Sequence, residues 1–198
     1  PWYAGDTVTA GIGQSFWLTT PLQITQATAI IAVSGKAYTP HILQSFSRPN
    51  SPIRYPIPLN PSKPIVLSNE EHWGVVQNAM TRVIHSPRGT GRRINTRELE
   101  YRMAGKTGTA QVRTVAQGKR YNRDELDRRH LDHAWFTAYA PAEDPQLVVT
   151  VLVENGESSG RVAAPMAKKV FDAWLKRDQY LMSGELTREE EPHLPHSH

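Results

Sequence analysis

The sequence predicts an α+β fold in which an antiparallel sheet is flanked by helices. Two stretches, His133–Ala140 and Leu147–Val153, are rich in β-branched and aromatic residues, and Asp144-Pro145 marks a turn between them. This pattern is typical of an antiparallel hairpin. The second stretch is apolar at nearly every position, which predicts that helices cover both of its faces.

Helix-capping residues predict the first of these helices. Thr20 suits the N-cap, Pro21 suits the first helical position, and Gln23 closes a capping box on Thr20. Apolar residues then continue until Gly35 ends the helix, and their density predicts burial on most sides. The preceding residues 1–18 contain three glycines among aromatic side chains and are interpreted as an irregular, partly buried loop.

Two more helices are predicted further along the chain. The segment Ser68–Glu71 repeats the capping-box pattern before a helix that ends at about His85. Seven prolines between residues 38 and 67 exclude a helix there and favour extended segments with short strands. A final helix begins at Ala163, and its predicted packing face consists of Val162, Met166, Val170, Ala173 and Trp174.

Composition restricts the class of protein. The 198 residues suffice for one domain, and 38% hydrophobic with 21% charged residues suits a globular piece. The net charge of +4 is interpreted as serving solubility, and no nucleic-acid partner is expected. The absence of cysteine excludes disulfides and thiol catalysis. There is no apolar run long enough for a transmembrane helix and no signal peptide, so we expect any membrane anchor to lie elsewhere and the chain to be a fragment.

The stretch Met103–Val112 carries the candidate chemistry and is interpreted as a strand. Lys106 offers a point charge for an anion, and the hydroxyls of Thr107 and Thr109 can donate to the same anion. At a sheet edge such a strand can hold an extended peptide, and the Thr109 N–H can polarise a carbonyl group. Another backbone can approach closely at the small residues. These are Gly105, Gly108 and Ala110.

The stretch admits two other interpretations. A phosphate-binding P-loop also contains Gly-Lys-Thr, but it needs a glycine where this chain has Glu100. The second alternative is an ordinary strand with exposed polar residues, because the triplet Lys-Thr-Gly is common on its own. The surroundings of the triplet favour a functional site.

Three segments together resemble one protein family. Ala104–Val112, AGKTGTAQV, is similar to the third active-site motif of the penicillin-binding proteins. Gly5–Gln26, GDTVTAGIGQSFWLTTPLQITQ, resembles the segment that precedes this motif in the class B, monofunctional transpeptidases. His133–Pro141, HAWFTAYAP, resembles the strand that follows it. The resemblance covers residues 3–176 and points to the elongation-type members of the family.

The resemblance implies a penicillin-binding/serine β-lactamase-like fold, of which this chain holds an incomplete domain. Residues 1–177 are expected to form the C-terminal portion of a transpeptidase domain, with part of its sheet and its terminal helix. Residues 178–198 are polar and end in PHLPHSH, and we expect them to be disordered.

Serine acyl transfer requires a nucleophile, a base and an oxyanion site. The family carries the nucleophile in Ser-x-x-Lys and completes the proton path with Ser-x-Asn. No serine in this sequence is followed by lysine three residues later or by asparagine two residues later. Since the family places both motifs before the segment that begins at Gly5, the nucleophile is expected in the N-terminal remainder of the same domain, which is the chain's first partner.

A few roles carry over to this chain by resemblance. Lys106 and Thr109 are the expected catalytic residues, the second through its backbone N–H as one of two oxyanion donors. Lys106, Thr107, Gly108 and Thr109 form the expected substrate-binding set. The resemblance implies no metal and no cofactor, and the three histidines of the C-terminal tail lack the other ligands of a metal site.

The implied function is that of a peptidoglycan D,D-transpeptidase, which cross-links stem peptides and is acylated by β-lactams. Its expected location is the periplasmic face of the inner membrane, and a membrane glycosyltransferase of the elongation machinery is an expected partner. This chain alone is expected to be inactive. Two alternatives are a β-lactam-sensing or non-catalytic binding module on the same fold, and an unrelated soluble binding domain.

Overall fold

A three-stranded antiparallel sheet with helices on both faces organises the chain. The computed structural model describes residues 2–13, 17–112 and 131–177. The helices are α1 (Ala4–Gly11), α2 (Pro21–Ala32), α3 (Glu71–His85) and α4 (Ala163–Leu175), with a 3₁₀ helix at Arg92–Ile94. The strands are β1 (Ala37–Tyr38), β2 (Ser45–Ser47), β3 (Arg54–Pro56), β4 (Pro61–Ser62), β5 (Ala104–Ala110), β6 (His133–Ala140) and β7 (Leu147–Val153).

The central sheet has the strand order β5-β6-β7, and both of its strand pairs are antiparallel. The predicted hairpin is therefore confirmed, with the bounds that the sequence predicted for both strands. Phe136 lies near the middle of the sheet, opposite Thr107 on β5 and opposite Val151 on β7. The short pairs β1–β4 and β2–β3 confirm the extended segments that the proline spacing predicted.

The face of the sheet under α4 forms the larger core. Alternate residues of β6 point to this face, among them Phe136, which is fully buried together with Phe171 of α4. The packing face that the sequence predicted for α4 is wrong. Small side chains allow α4 to approach the sheet closely, so three of its alanines are buried beside Phe171, and three of the large residues of the predicted face are exposed. The buried alanines are Ala163, Ala164 and Ala167, and the exposed residues are Met166, Val170 and Trp174.

Helix α2 packs on the opposite face of the sheet. Its capping box is confirmed, since the Gln23 N–H donates to Thr20 Oγ1 over 3.2 Å and the Thr20 N–H donates to Gln23 Oε1 over 2.8 Å. The predicted burial on most sides is wrong. Of the α2 residues, all of which the structure describes, Thr28 and Ala32 are the buried ones, because only one side of the helix contacts the sheet.

The N-terminus of α3 differs from the predicted capping box. The helix ends at His85 as predicted, but no side chain caps its first turn at Glu70. Instead, Asn69 Oδ1 accepts a hydrogen bond from the Glu71 N–H over 2.9 Å. A short local turn closed by the asparagine side chain therefore replaces the reciprocal serine–glutamate pair.

Residues 1–18 contain a helix where the sequence predicted a partly buried loop. The Tyr3 N–H donates to Asp6 Oδ2 over 2.8 Å and closes the first turn of α1. No residue of α1 is buried, so local hydrogen bonding, and not packing, stabilises this helix. None of the helices in the described ranges is long and apolar enough to cross a membrane. Residues 178–198, with their predicted disorder, lie outside the described residues, and the domain boundary at residue 177 stays a prediction.

Candidate functional site

Strand β5 contains all of the predicted site residues. Its outer edge pairs with no other strand in the described ranges, so β5 is an edge strand in this part of the chain. Lys106 and Thr109 are exposed, and Thr107 and Gly108 are half-buried. Four consecutive residues with a charge, two hydroxyls and no bulky apolar group thus lie at an accessible edge of the sheet.

Two glycines of β5 lie close to side chains of the neighbouring strand β6. A Cβ at Gly105 would lie 3.0 Å from Ala138 Cβ and 3.0 Å from Phe136 Cζ, and a Cβ at Gly108 would lie 3.2 Å from Trp135 Cβ. Contacts this short are rarely tolerated in a packed interior. These glycines therefore leave room for side chains of β6, and the close approach of a ligand backbone stays a prediction.

Lys106 and the two threonines lie on opposite faces of β5. Lys106 is opposite Thr137 on the α2 side of the sheet, whereas Thr107 and Thr109 share the α4 side, because successive side chains alternate along a strand. Lys106 Nζ donates to the carbonyl oxygen of Thr107 over 2.6 Å. Since an ammonium group has three donors, two remain for an anion at this edge.

Two loops remote in sequence fix the position of β5. The hydroxyls of Thr90 and Thr107 are hydrogen-bonded over 2.8 Å. Ser159 Oγ donates to the carbonyl oxygen of Gly108. The loops also touch each other, because a Cβ at Gly160 would lie 2.5 Å from the Thr90 carbonyl oxygen. No local sequence pattern marks these partners, so sequence analysis missed them.

His85 holds the chain just before β5. Its Nε2 accepts a hydrogen bond from the Met103 N–H over 3.1 Å. Burial lowers the pKa of His85 below its usual value, and the nearby Arg102 charge lowers this pKa further. Both effects favour the neutral ring, which is the form that can accept the bond. The end of α3 and the start of β5 are thereby joined through one imidazole.

A cavity of about 340 Å³ lies beside β5 on the α4 side of the sheet. Thr107 and Thr109 line it from β5, Thr90 and Arg93 line it from the segment after α3, and residues 157–161 line it from the segment before α4. The lining is mostly polar, and it brings together three segments that are far apart in sequence.

Ser159 is buried, and its hydroxyl is already donated to the Gly108 carbonyl oxygen. In the described ranges, no three His, Asp or Glu residues are grouped in a way that could hold a metal ion. The expectation that the attacking serine lies in other polypeptide stays a prediction.

Comparison with known families places the chain. A family profile described as "Penicillin binding protein transpeptidase domain" matches residues 1–172. The chain belongs to this family. The resemblance that three sequence segments indicated is thereby confirmed, and so is the α+β fold with an antiparallel sheet packed against helices.

Several curated relatives of this chain are peptidoglycan D,D-transpeptidases named MrdA. The Acinetobacter baumannii protein is 41% identical over 203 residues, which cover 100% of this chain and 27% of the relative. The Haemophilus influenzae protein is 40% identical over 182 residues, which cover 89% of this chain and 27% of the relative. The chain therefore spans about a quarter of the length of these relatives.

Solved structures of penicillin-binding proteins share the fold over part of their chains. Pseudomonas aeruginosa PBP2 in complex with WCK 5153 is 40% identical with a TM-score of 0.69, over 88% of this chain and 34% of that one. Helicobacter pylori PBP2 in complex with MreC is 30% identical with a TM-score of 0.64, over 93% and 29% of the two chains. The imipenem acyl-enzyme of Mycobacterium tuberculosis penicillin-binding protein A is 26% identical with a TM-score of 0.64, over 84% and 33%.

Proposed function

We propose that the chain is the C-terminal part of an elongation-type peptidoglycan D,D-transpeptidase, and that β5 forms one wall of its cleft. The observation that carries the proposal is an open edge strand with Lys106 on one side and two threonine hydroxyls lining a cavity on the other. The activity of the MrdA relatives supports the same assignment. Ser-x-x-Lys and Ser-x-Asn are supplied by the remainder of the protein.

The proposed reaction is acyl transfer through that serine. Its hydroxyl attacks the carbonyl carbon of the penultimate D-alanine of a stem peptide and loses its proton to a base. The Oγ–C bond forms, the peptide C–N bond breaks, and the terminal D-alanine leaves with a proton on its amine. An amine of a neighbouring stem then takes the acyl group, which forms the cross-link and restores the serine. A β-lactam acylates the same serine as its ring amide opens.

The proposed roles rest on the family resemblance and are supported by the positions of the residues on β5. Lys106 supplies positive charge at the cleft and contacts the serine of Ser-x-Asn. Thr107 and Thr109 donate their hydroxyls to the substrate carboxylate, and Gly108 completes the binding strand between them. The Thr109 N–H donates to the oxyanion of the tetrahedral intermediate. Loss of one such donor typically costs about 3 kcal/mol of transition-state stabilisation.

The proposed setting is the periplasmic face of the inner membrane. Its support is the peptidoglycan activity named for the MrdA relatives, and we propose that the membrane anchor belongs to polypeptide outside this chain. The solved complex of Helicobacter pylori PBP2 with MreC supports an MreC-like protein as one partner. A membrane glycosyltransferase of the elongation machinery is the second partner that we propose.

The test is labelling of the complete protein with a fluorescent penicillin. Lys106→Ala is expected to slow acylation by roughly 100-fold, which is the usual effect of losing one preorganised electrostatic contact. Lys169→Ala, which removes an exposed lysine from α4, is the matched control and should label like the wild type. Unchanged acylation of Lys106→Ala would remove Lys106 from the mechanism. Turnover of stem peptides by the complete protein distinguishes the enzyme from a β-lactam sensor.

A further inference from the structure

The cavity beside β5 brings two arginines to the threonine side of the strand. Arg93 belongs to the 3₁₀ helix after α3, and Arg161 lies just before α4, so the two guanidinium groups come from different walls. Both side chains are exposed, and neither is held in an ion pair with another residue of the described ranges. Their positive charges are therefore available to a ligand that enters the cavity.

Lys106 does not share this cavity. The cavity is lined by Thr107 and Thr109, while the lysine side chain lies on the other face of β5. The sequence predicted that Lys106 and the two threonine hydroxyls bind the same anion. The structure instead groups the threonine hydroxyls with Arg93 and Arg161.

We infer that Arg93 and Arg161, with Thr107 and Thr109, form the carboxylate-recognition site for the acyl donor. A guanidinium group presents a planar fork of N–H donors that matches a carboxylate in a bidentate manner, which an ammonium group does not. Two arginines outweigh the one acidic residue of the lining, Glu157. The inference rests on the proposed function, because it names the group that selects donors with a free terminal carboxylate.

The walls of this site are preorganised by contacts that involve neither arginine. The Thr90–Thr107 hydrogen bond joins the first wall to β5, and the bond from Ser159 to the Gly108 carbonyl joins the second. Gly160 lets the two walls meet, since a side chain there would collide with the Thr90 carbonyl oxygen. Glu157 has a φ of +57°, a strained backbone conformation of the kind that collects at functional sites. A fixed scaffold of this kind reduces the entropy lost when a carboxylate binds.

The test compares two reagents on the complete protein: a fluorescent penicillin with a free carboxylate, and the methyl ester of the same reagent. Arg161→Gln and Arg93→Gln should each lower the second-order acylation rate of the acid about tenfold, since a hydrogen bond to a charged group contributes this order of stabilisation. The loss should appear as a larger dissociation constant for the initial complex, with an unchanged rate constant for acylation within that complex. Acylation by the ester should be the same in the wild type and in both variants, because the ester has no charged carboxylate for the arginines to bind.

Arg88→Gln is the matched control, because it removes the same charge from an exposed position outside the cavity. It should leave both rates unchanged, and thermal unfolding should show that all variants fold. Equal rates for wild type and both cavity variants would overturn the inference, as would an equal loss with acid and ester. A wild-type protein that reacts with neither reagent would overturn the proposed function itself.

Discussion

The two outer strands of the central sheet, β5 and β7, occupy equivalent positions with opposite chemistry. Both pair with β6 on one side and with no other strand of the described ranges on the other. β5 has the sequence AGKTGTA, and β7 has the sequence LVVTVLV. Every residue of β7 is half-buried, although helices lie on both of its faces as the sequence predicted.

The contrast shows that an edge strand can be open for different physical reasons. A long apolar edge strand invites pairing with other polypeptide, so proteins normally cover it. We expect the remainder of the protein to pair with β7, since this chain spans 27% of its MrdA relatives. The β5 edge is small and polar, which lowers the gain from permanent pairing and leaves the edge accessible to a substrate.

The largest expected effect concerns the inner side of β5, where the open strand is packed as tightly as a core strand. Gly105→Ala places a methyl group 3.0 Å from Ala138 Cβ and from Phe136 Cζ. Overpacking of this kind should lower the free energy of unfolding by about 1–3 kcal/mol. Gly108→Ala is the matched control, with a nearest contact of 3.2 Å and a half-buried position, and it should cost less.

Urea unfolding of the complete protein measures both glycine variants. Equal destabilisation by the two substitutions would mean that β6 does not restrict Gly105 in particular. A neutral Gly105→Ala would show that β5 can move outward from β6, and the distinction between a packed inner side and an open edge would then fail.

The sequence predicted the elements whose signals are local. The hairpin strands β6 and β7, the α2 capping box and the strand β5 each depend on a few neighbouring residues, and each is confirmed. It failed for α4, where the large residues suggested one packing face. The structure buries the alanine face instead, because close approach to the sheet requires small side chains.

The candidate site shows the same limit more clearly. Lys106, Thr107 and Thr109 are readable from one motif, since they are consecutive or nearly so. Thr90 is 17 residues away from its partner Thr107, and Ser159 is 51 residues away from its partner Gly108. Both reach β5 only through the turns that precede them. No periodicity or spacing in the sequence relates such residues, so the walls of the cavity were not predictable.

Phe136 lies between Thr107 on β5 and Val151 on β7, and substitutions at these two positions exchange the side-chain chemistry of the two edges. Valine and threonine have nearly the same shape but differ in a hydroxyl. Val151→Thr places a hydroxyl against the α4 core and should cost about 1–2 kcal/mol of unfolding free energy, with acylation unchanged. Thr107→Val loses the hydrogen bond to Thr90 and should cost about 1 kcal/mol, with slower acylation by penicillin.

Both quantities are measured for both variants of the complete protein. The comparison of the edges predicts that stability responds more at β7 and acylation more at β5. If Val151→Thr slowed acylation as much as Thr107→Val, the two edges would not be functionally distinct. The result would then indicate a general loosening of the sheet around Phe136.

The smallest expected effect is a pH dependence at the start of β5. The lowered pKa of His85 arises from burial and from the charge of Arg102, while a hydrogen bond to Asn95 and the charge of Glu143 oppose the shift. The unfolded chain therefore binds a proton at higher pH than the folded chain does. The stability from this group is fully present above its unfolded pKa of about 6.5 and is lost as pH falls towards the lowered folded value.

Unfolding of the complete protein between pH 7.5 and pH 5, in the wild type and in His85→Gln, isolates this contribution. A glutamine oxygen can accept the Met103 N–H at any of these pH values, so the variant should lack the histidine's part of the pH dependence. The wild type should lose up to about 1 kcal/mol relative to the variant, the scale of one hydrogen bond. Parallel pH profiles would show that His85 does not fix β5. The hydrogen bond from Met103 to His85 of α3 would then not fix the start of β5. The comparison with β7, which we expect to pair with other polypeptide, would lose this difference.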